Sequence, residues 1–109
     1  MTDSELQHLF AGISRFGWDP AKRASNLRNH KIDFDDARAI FDGDVFVRRS
    51  DRHGETRYQV FGWMAGREIA VACTLRGDLC WIISARRARR DERRKFYGRV
   101  PGHPADGQD

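Results

Sequence analysis

Past residue 43 the chain alternates between apolar and polar side chains. In VFVRR, RYQVFGW, REIAVACTL and LCWIISA the two kinds switch with a period of two, the repeat of a pleated strand. SDRHGET, MAG and RGD separate these runs, and connections this short require antiparallel neighbours, so the pattern predicts a four-stranded antiparallel meander. In the third run Ile69, Val71, Cys73 and Leu75 share one face, with Ala70, Ala72 and Thr74 on the other. The last run is apolar on both faces, Leu79, Trp81 and Ile83 against Cys80 and Ile82, which puts it inside the sheet.

Before residue 43 the repeat is helical. Asp19 caps a helix whose first residue is Pro20, where the ring presets φ and the missing donor would have been unsatisfied anyway. Ala21, Ala24 and Leu27 supply its apolar stripe, while Lys22, Asn26 and His30 align a cation, an amide and an imidazole along another. DFDDARAIFD predicts a second helix, capped by Asp33, with Asp35 and Asp36 in the first turn and Phe34, Ala37, Ile40 and Phe41 facing the core. Leu6, Leu9, Phe10 and Ile13 repeat at helical spacing without a strong cap; residues 1–15 are read as an N-terminal extension, a frayed helix or a disordered lead-in. ARRARRDERRKFYG predicts a closing basic helix stopped by Gly98. The expected architecture is α+β: two N-terminal helices, a four-stranded antiparallel sheet and a C-terminal basic helix in one domain over 16–98. Residues 99–109, which include PGHPADGQD, are expected to form a disordered tail.

Composition narrows the setting. A chain of 109 residues holds one modest core. It has no apolar run of membrane-spanning length and no secretion-type leader, so a cytoplasmic protein without membrane contact is expected. The two cysteines, Cys73 and Cys80, lie in strand-like runs and are read as reduced, packed thiols; no CxxC or paired histidines suggest a metal site, and no cofactor is expected. The net charge is +4, but it is unevenly placed. Arg86, Arg87, Arg89, Arg90, Arg93, Arg94, Lys95 and Arg99 stand against only Asp91 and Glu92, a local +6, while the rest of the chain is at −2. Localised basicity of this kind is the footprint of a surface that meets a polyanion.

Five segments in unbroken order over residues 17–97, WDPAKRASNLRNH, DFDDARAIF, HGETRYQVFG, TLRG and IISARRARRDERRKFY, resemble the BrnT family of ribonuclease toxins. The resemblance implies a compact RelE-like α+β domain and metal-independent cleavage of RNA, specifically mRNA, that inhibits translation and growth. It also implies a BrnA-like antitoxin partner with a ribbon-helix-helix part, through which alone the pair would meet operator DNA. The family pattern falls on Trp18, Asp19, Lys22 and Asn26; on His53, Glu55 and Arg57; on Thr74, Arg76 and Gly77; and on Ser84, Ala85 and Arg86. Three positions depart from it: Lys31 replaces the glycine after the first helix, Trp81 replaces a frequent arginine, and either Phe96 or Tyr97 takes the place of the closing aromatic.

Cutting RNA without metal requires a base for the 2′-hydroxyl, cations for the phosphorus-bound oxygens and an acid for the leaving oxygen. Arg86, expected at the junction of the last strand and last helix, is the first choice for the cation, because its fork binds two phosphate oxygens and keeps its proton. Arg76 in the RGD turn joins it on the strength of the resemblance, and Lys22 adds a second cation, although an exposed lysine there is otherwise ordinary. His53 or Glu55 would move protons, with Arg57 paired to Glu55. His30, at a helix end, has a sufficient role in meeting the dipole, and packing is the simpler role for Trp18, Trp63 and Trp81. Arg87, Arg89, Arg90, Arg93 and Arg94 point in too many directions for one ligand and read as a phosphate-tracking surface. Two alternatives fit the same charge: a nucleic-acid-binding module without chemistry, and a basic helix that docks an acidic partner chain.

Overall fold

The computed structural model describes residues 1–100, so the tail PGHPADGQD lies outside the described residues. In chain order the elements are α1 (Asp3–Gln7), β1 (Arg15–Trp18), α2 (Pro20–His30), α3 (Phe34–Ala37), a 3₁₀ turn (Arg38–Asp42), β2 (Phe46–Arg49), β3 (Tyr58–Met64), β4 (Arg67–Arg76), β5 (Leu79–Arg87) and α4 (Arg90–Arg99). The α+β class and the β2–β5 meander match expectation. The sheet, however, is five-stranded and mixed, in the order β1-β5-β4-β3-β2. The added strand RFGW pairs in parallel with Leu79–Ile82. Four residues with a central glycine are too short to show a period, yet this strand explains why β5 is apolar on both faces. Gly17 is required there, since a Cβ on it would stand 3.0 Å from the Trp81 ring.

Both helix caps form as expected: Asp19 accepts from the Ala21 N–H at 2.8 Å, and Asp33 from Asp35 at 3.1 Å. The second helix is shorter than its pattern. After Ala37 it tightens into the 3₁₀ turn, where a spacing of three keeps Phe34, Ala37 and Ile40 stacked on one side, all fully buried. That turn lies against β3 so closely that a Cβ on Gly62 would meet Ile40 Cβ at 2.6 Å.

The packing face of α2 differs from the prediction. Leu27 is 46% exposed and Ala21 and Ala24 are exposed too, whereas Asn26 is the buried residue of the helix. The cause is a polar demand. β1 runs out at Trp18, leaving β5 unpaired on that side beyond Ile82. Asn26 fills the gap: Nδ2 donates to the Ala85 and Ile32 carbonyls at 2.8 and 2.9 Å, and Oδ1 accepts from the Ala85 N–H at 3.0 Å. Gln7 does the same on the outer edge of β2, donating to the Val47 carbonyl at 2.8 Å and accepting from its N–H at 2.7 Å. The segment before β1 is thereby tied to the sheet, and Phe10 sits in the core at 2% exposure. The helix here is shorter than the apolar spacing suggested: it spans Asp3–Gln7 behind a Thr2–Glu5 capping box, and Leu9, Phe10 and Ile13 lie beyond it.

Each face of the sheet has its own core. One face carries Val47, Val60, Val71 and Ile82 against α3, the 3₁₀ turn and Phe10. On the other, Phe46, Phe61 and Ala70 meet Ala88, Phe96 and Val100 of the closing segment. β5 continues through Arg87, so α4 starts four residues after Arg86, and Gly98 does not stop it. Phe96 is its buried aromatic, with Tyr97 partly buried beside it at 5.3 Å between ring centroids. Cys73 and Cys80 are free and buried. Among the described residues no helix is long and apolar enough to cross a membrane.

Candidate nucleic-acid interface

α4 covers only part of its face of the sheet. Strand alternation sets Arg48, Gln59, Ala72 and Ser84 side by side across β2 to β5, in one row of the register. Ala72 and Ser84 are small, and the β4–β5 register shifts between Ala72 and Cys73, leaving Ile83 of β5 without a partner across the ladder. The result is an open depression of about 280 Å³ floored by Ala72, Ile83 and Ser84, with Arg52, Arg57, Arg86 and Arg89 around it.

Arg86 is fixed by a residue that sequence reasoning missed. Its Nη1 and Nη2 donate to Glu92 Oε1 and Oε2 at 2.8 and 2.9 Å. Arg48 Nη2 reaches the same carboxylate at 3.2 Å, and the Arg89 N–H donates to it at 2.8 Å as α4 begins. The Glu92 side chain is 2% exposed. The Arg86 guanidinium foremost, then the Arg89 N–H and the charge of Arg48, holds its carboxyl down at about 2 against burial, which works the other way. Arg86 also donates from Nη1 to the Arg87 carbonyl at 3.2 Å. Of the five N–H donors of a guanidinium, three are therefore committed. The Nε–H and the second Nη2–H remain, and they lie on the same side as a two-pronged fork. An arginine held in this way can offer two parallel hydrogen bonds to phosphate oxygens without reorienting.

The other expected residues fall in several places. Arg57 lines the depression, with Nε donating to Glu55 Oε1 at 2.9 Å. Glu55 and Arg76 line a second, adjoining depression. His53 and Gly54 occupy the two central positions of a tight turn with φ of 54° and 72°, closed by Arg52 and Glu55 hydrogen-bonding to each other in both directions. That is a hairpin turn with positive φ at both centres, so His53 is an exposed turn residue lining neither depression. Lys22 is exposed on α2 and lines neither. Of the arginines beyond Arg86, Arg89 lines the depression and Arg87, Arg90 and Arg94 are exposed. Arg93 is turned inward: its side chain is 16% exposed, 3.4 Å from Glu68 and donating to the Ala88 carbonyl at 3.2 Å. Trp18 packs on Phe34 at 6.0 Å, with Arg23 over its face.

Reasoning from the sequence also missed Arg48 and Arg52. A local clue to Glu92 existed, because an acid at the third position of a helix is where a capping side chain turns back. It was hidden by the expectation that the helix began earlier.

The fold is a mixed-sheet α+β domain with four arginines around one open depression. The chain belongs to the BrnT family: the family model described as "Ribonuclease toxin, BrnT, of type II toxin-antitoxin system" matches residues 18–92. The match takes in both Arg86 and Glu92. No curated protein matches the chain. As a type II toxin it has an antitoxin for its partner.

Proposed function

We propose that the arginine depression binds the scissile phosphodiester of mRNA and that the protein cleaves it without a metal ion. The observation that carries this is the free fork of Arg86, aimed by Glu92 and flanked by Arg57, Arg89 and Arg52. When the 2′-oxygen attacks phosphorus and the bond to the 5′-oxygen breaks, negative charge grows on the non-bridging oxygens. Fixed guanidinium donors stabilise that charge with little reorganisation, and losing one such donor typically costs about 10²- to 10³-fold in rate. The exposed Arg87, Arg90 and Arg94 add attraction for the flanking backbone.

Incubating the purified protein with RNA in the presence of chelator tests the reading. Fragments are expected, with Arg86→Ala slowing their appearance at least a hundredfold. Intact RNA at protein excess, or cleavage untouched by Arg86→Ala, would sink it. We further infer that the antitoxin is a BrnA-like ribbon-helix-helix protein that links the pair to operator DNA. Expressed alone the toxin should arrest growth, and co-expression with the neighbouring frame should restore it.

A further inference from the structure

The open face of the sheet does not end at the arginine depression. Along β4, Ala70, Ala72, Thr74 and Arg76 alternate onto one side. Ala70 lies in the core under α4, Ala72 floors the arginine depression, and Thr74 and Arg76 line the second depression, of about 310 Å³. From Ala72 to Arg76 the strand advances about 13 Å, room for a neighbouring nucleotide. The ion pair of Glu55 and Arg57 bridges the two depressions, and Tyr58 lines both.

Two features give this second depression a chemistry. The Arg76 guanidinium lies 4.4 Å above the centroid of the Trp81 ring. β1 backs that ring at Gly17. Arg76 is exposed, so its outer side is a flat cationic shelf, and guanidinium planes of this kind stack nucleobases. Glu55 is the second feature. Its side chain is 39% exposed, and only Oε1 is engaged, by Arg57. A carboxylate has about four acceptor sites, so most remain free for donors on a base edge. Guanine offers adjacent N1–H and N2–H donors. Uracil offers a single N3–H between two carbonyl oxygens, which a carboxylate repels.

We propose that the second depression is a base-recognition subsite: it stacks the nucleobase beside the bound phosphate on Arg76 and reads an amino-bearing edge, guanine best, through Glu55. The proposal rests on the RNA-binding reading of the neighbouring depression. It makes Arg76 and Glu55 determinants of where the protein binds and cuts.

The test uses the full chain, chelator, and labelled 2′-O-methyl oligouridine, which lacks the attacking hydroxyl and so stays intact, with or without one internal guanosine, read by fluorescence anisotropy. The guanosine oligonucleotide should bind on the order of tenfold more tightly. Inosine in its place, which lacks the amino group, should lose a large part of that gain, a comparison that needs no protein variant. Glu55→Gln should bring the two oligonucleotides to within about twofold of each other, and Arg76→Ala should weaken the guanosine complex on the order of tenfold. Equal binding of the two oligonucleotides by the wild-type protein overturns the subsite. A preference that survives inosine, or one untouched in both variants, overturns it as well. Selective binding that Glu55→Gln abolishes, with no unmodified RNA ever cut, upholds the subsite while refuting the ribonuclease reading of its neighbour.

Discussion

Replacing Glu92 by glutamine removes one charge from a buried cluster and keeps its shape. In the wild type that carboxylate holds Arg86 and Arg48, whose side chains are 20% and 35% exposed. Its carboxyl titrates at about 2 against an ordinary 4.5. At roughly 1.4 kcal/mol per unit, that depression corresponds to about 3 kcal/mol of folding stability at neutral pH. The independent expectation for removing one partner of a buried pair is about 3–5 kcal/mol. The amide of Glu92→Gln would also turn a donor toward the Arg86 donors. We therefore expect the variant to unfold about 3 kcal/mol more easily at pH 7, lowering the melting temperature on the order of 10–20 °C. The sign with pH is fixed. A depressed carboxylate contributes fully above its unfolded value near 4.5, and most of the contribution is lost as pH falls to about 2, where the native carboxylate is itself about half protonated. Urea unfolding at pH 7, 4 and 2 measures the difference. A gap below about 1 kcal/mol at pH 7, or one that does not shrink with acid, would refute the assignment of Glu92 as the anchor of Arg86.

Further outcomes are expected elsewhere. Lys31 sits at φ of 60° where α2 ends, so Lys31→Gly relieves left-handed strain and should raise stability by about 0.5–1 kcal/mol in chemical denaturation. Asn26→Leu orphans both backbone groups of Ala85 and should cost about 2–4 kcal/mol in the same assay, in spite of the gain in apolar surface. Affinity for single-stranded RNA should fall with salt, and reversing Arg90 and Arg94 to glutamate should reduce the log–log slope by roughly 0.7 for each phosphate no longer neutralised. An unchanged slope would remove those side chains from the binding surface.

Local rules carried the sequence reading where one residue decides the outcome. Asp19 and Asp33 cap because a short acceptor before a helical run has few other uses, and β5 is interior because both its faces are apolar. The reading failed where the partner is remote. Nothing in PAKRASNLRNH tells a helix to bury Asn26 in preference to Leu27 until the gap beside Ala85 is known, and β1 is too short to announce itself. The site was half legible. Arg86 stood out by its place near the end of a strand, and Arg57 and Glu55 were expected to pair, as they do. Glu92 and Arg48 lie on different elements, and their meeting with Arg86 depends on β5 running to Arg87 before α4 turns back.

The two amide side chains that complete the sheet, Gln7 on β2 and Asn26 on β5, occupy backbone groups that would otherwise be free to pair with another chain. Each guard is a single residue, and Gln7 sits on a helix of only five residues. Colloidal behaviour is thereby separated from folding stability: a chain that loses Gln7 can keep its core and still self-associate through β2, so concentration-dependent aggregation would precede any large drop in melting temperature.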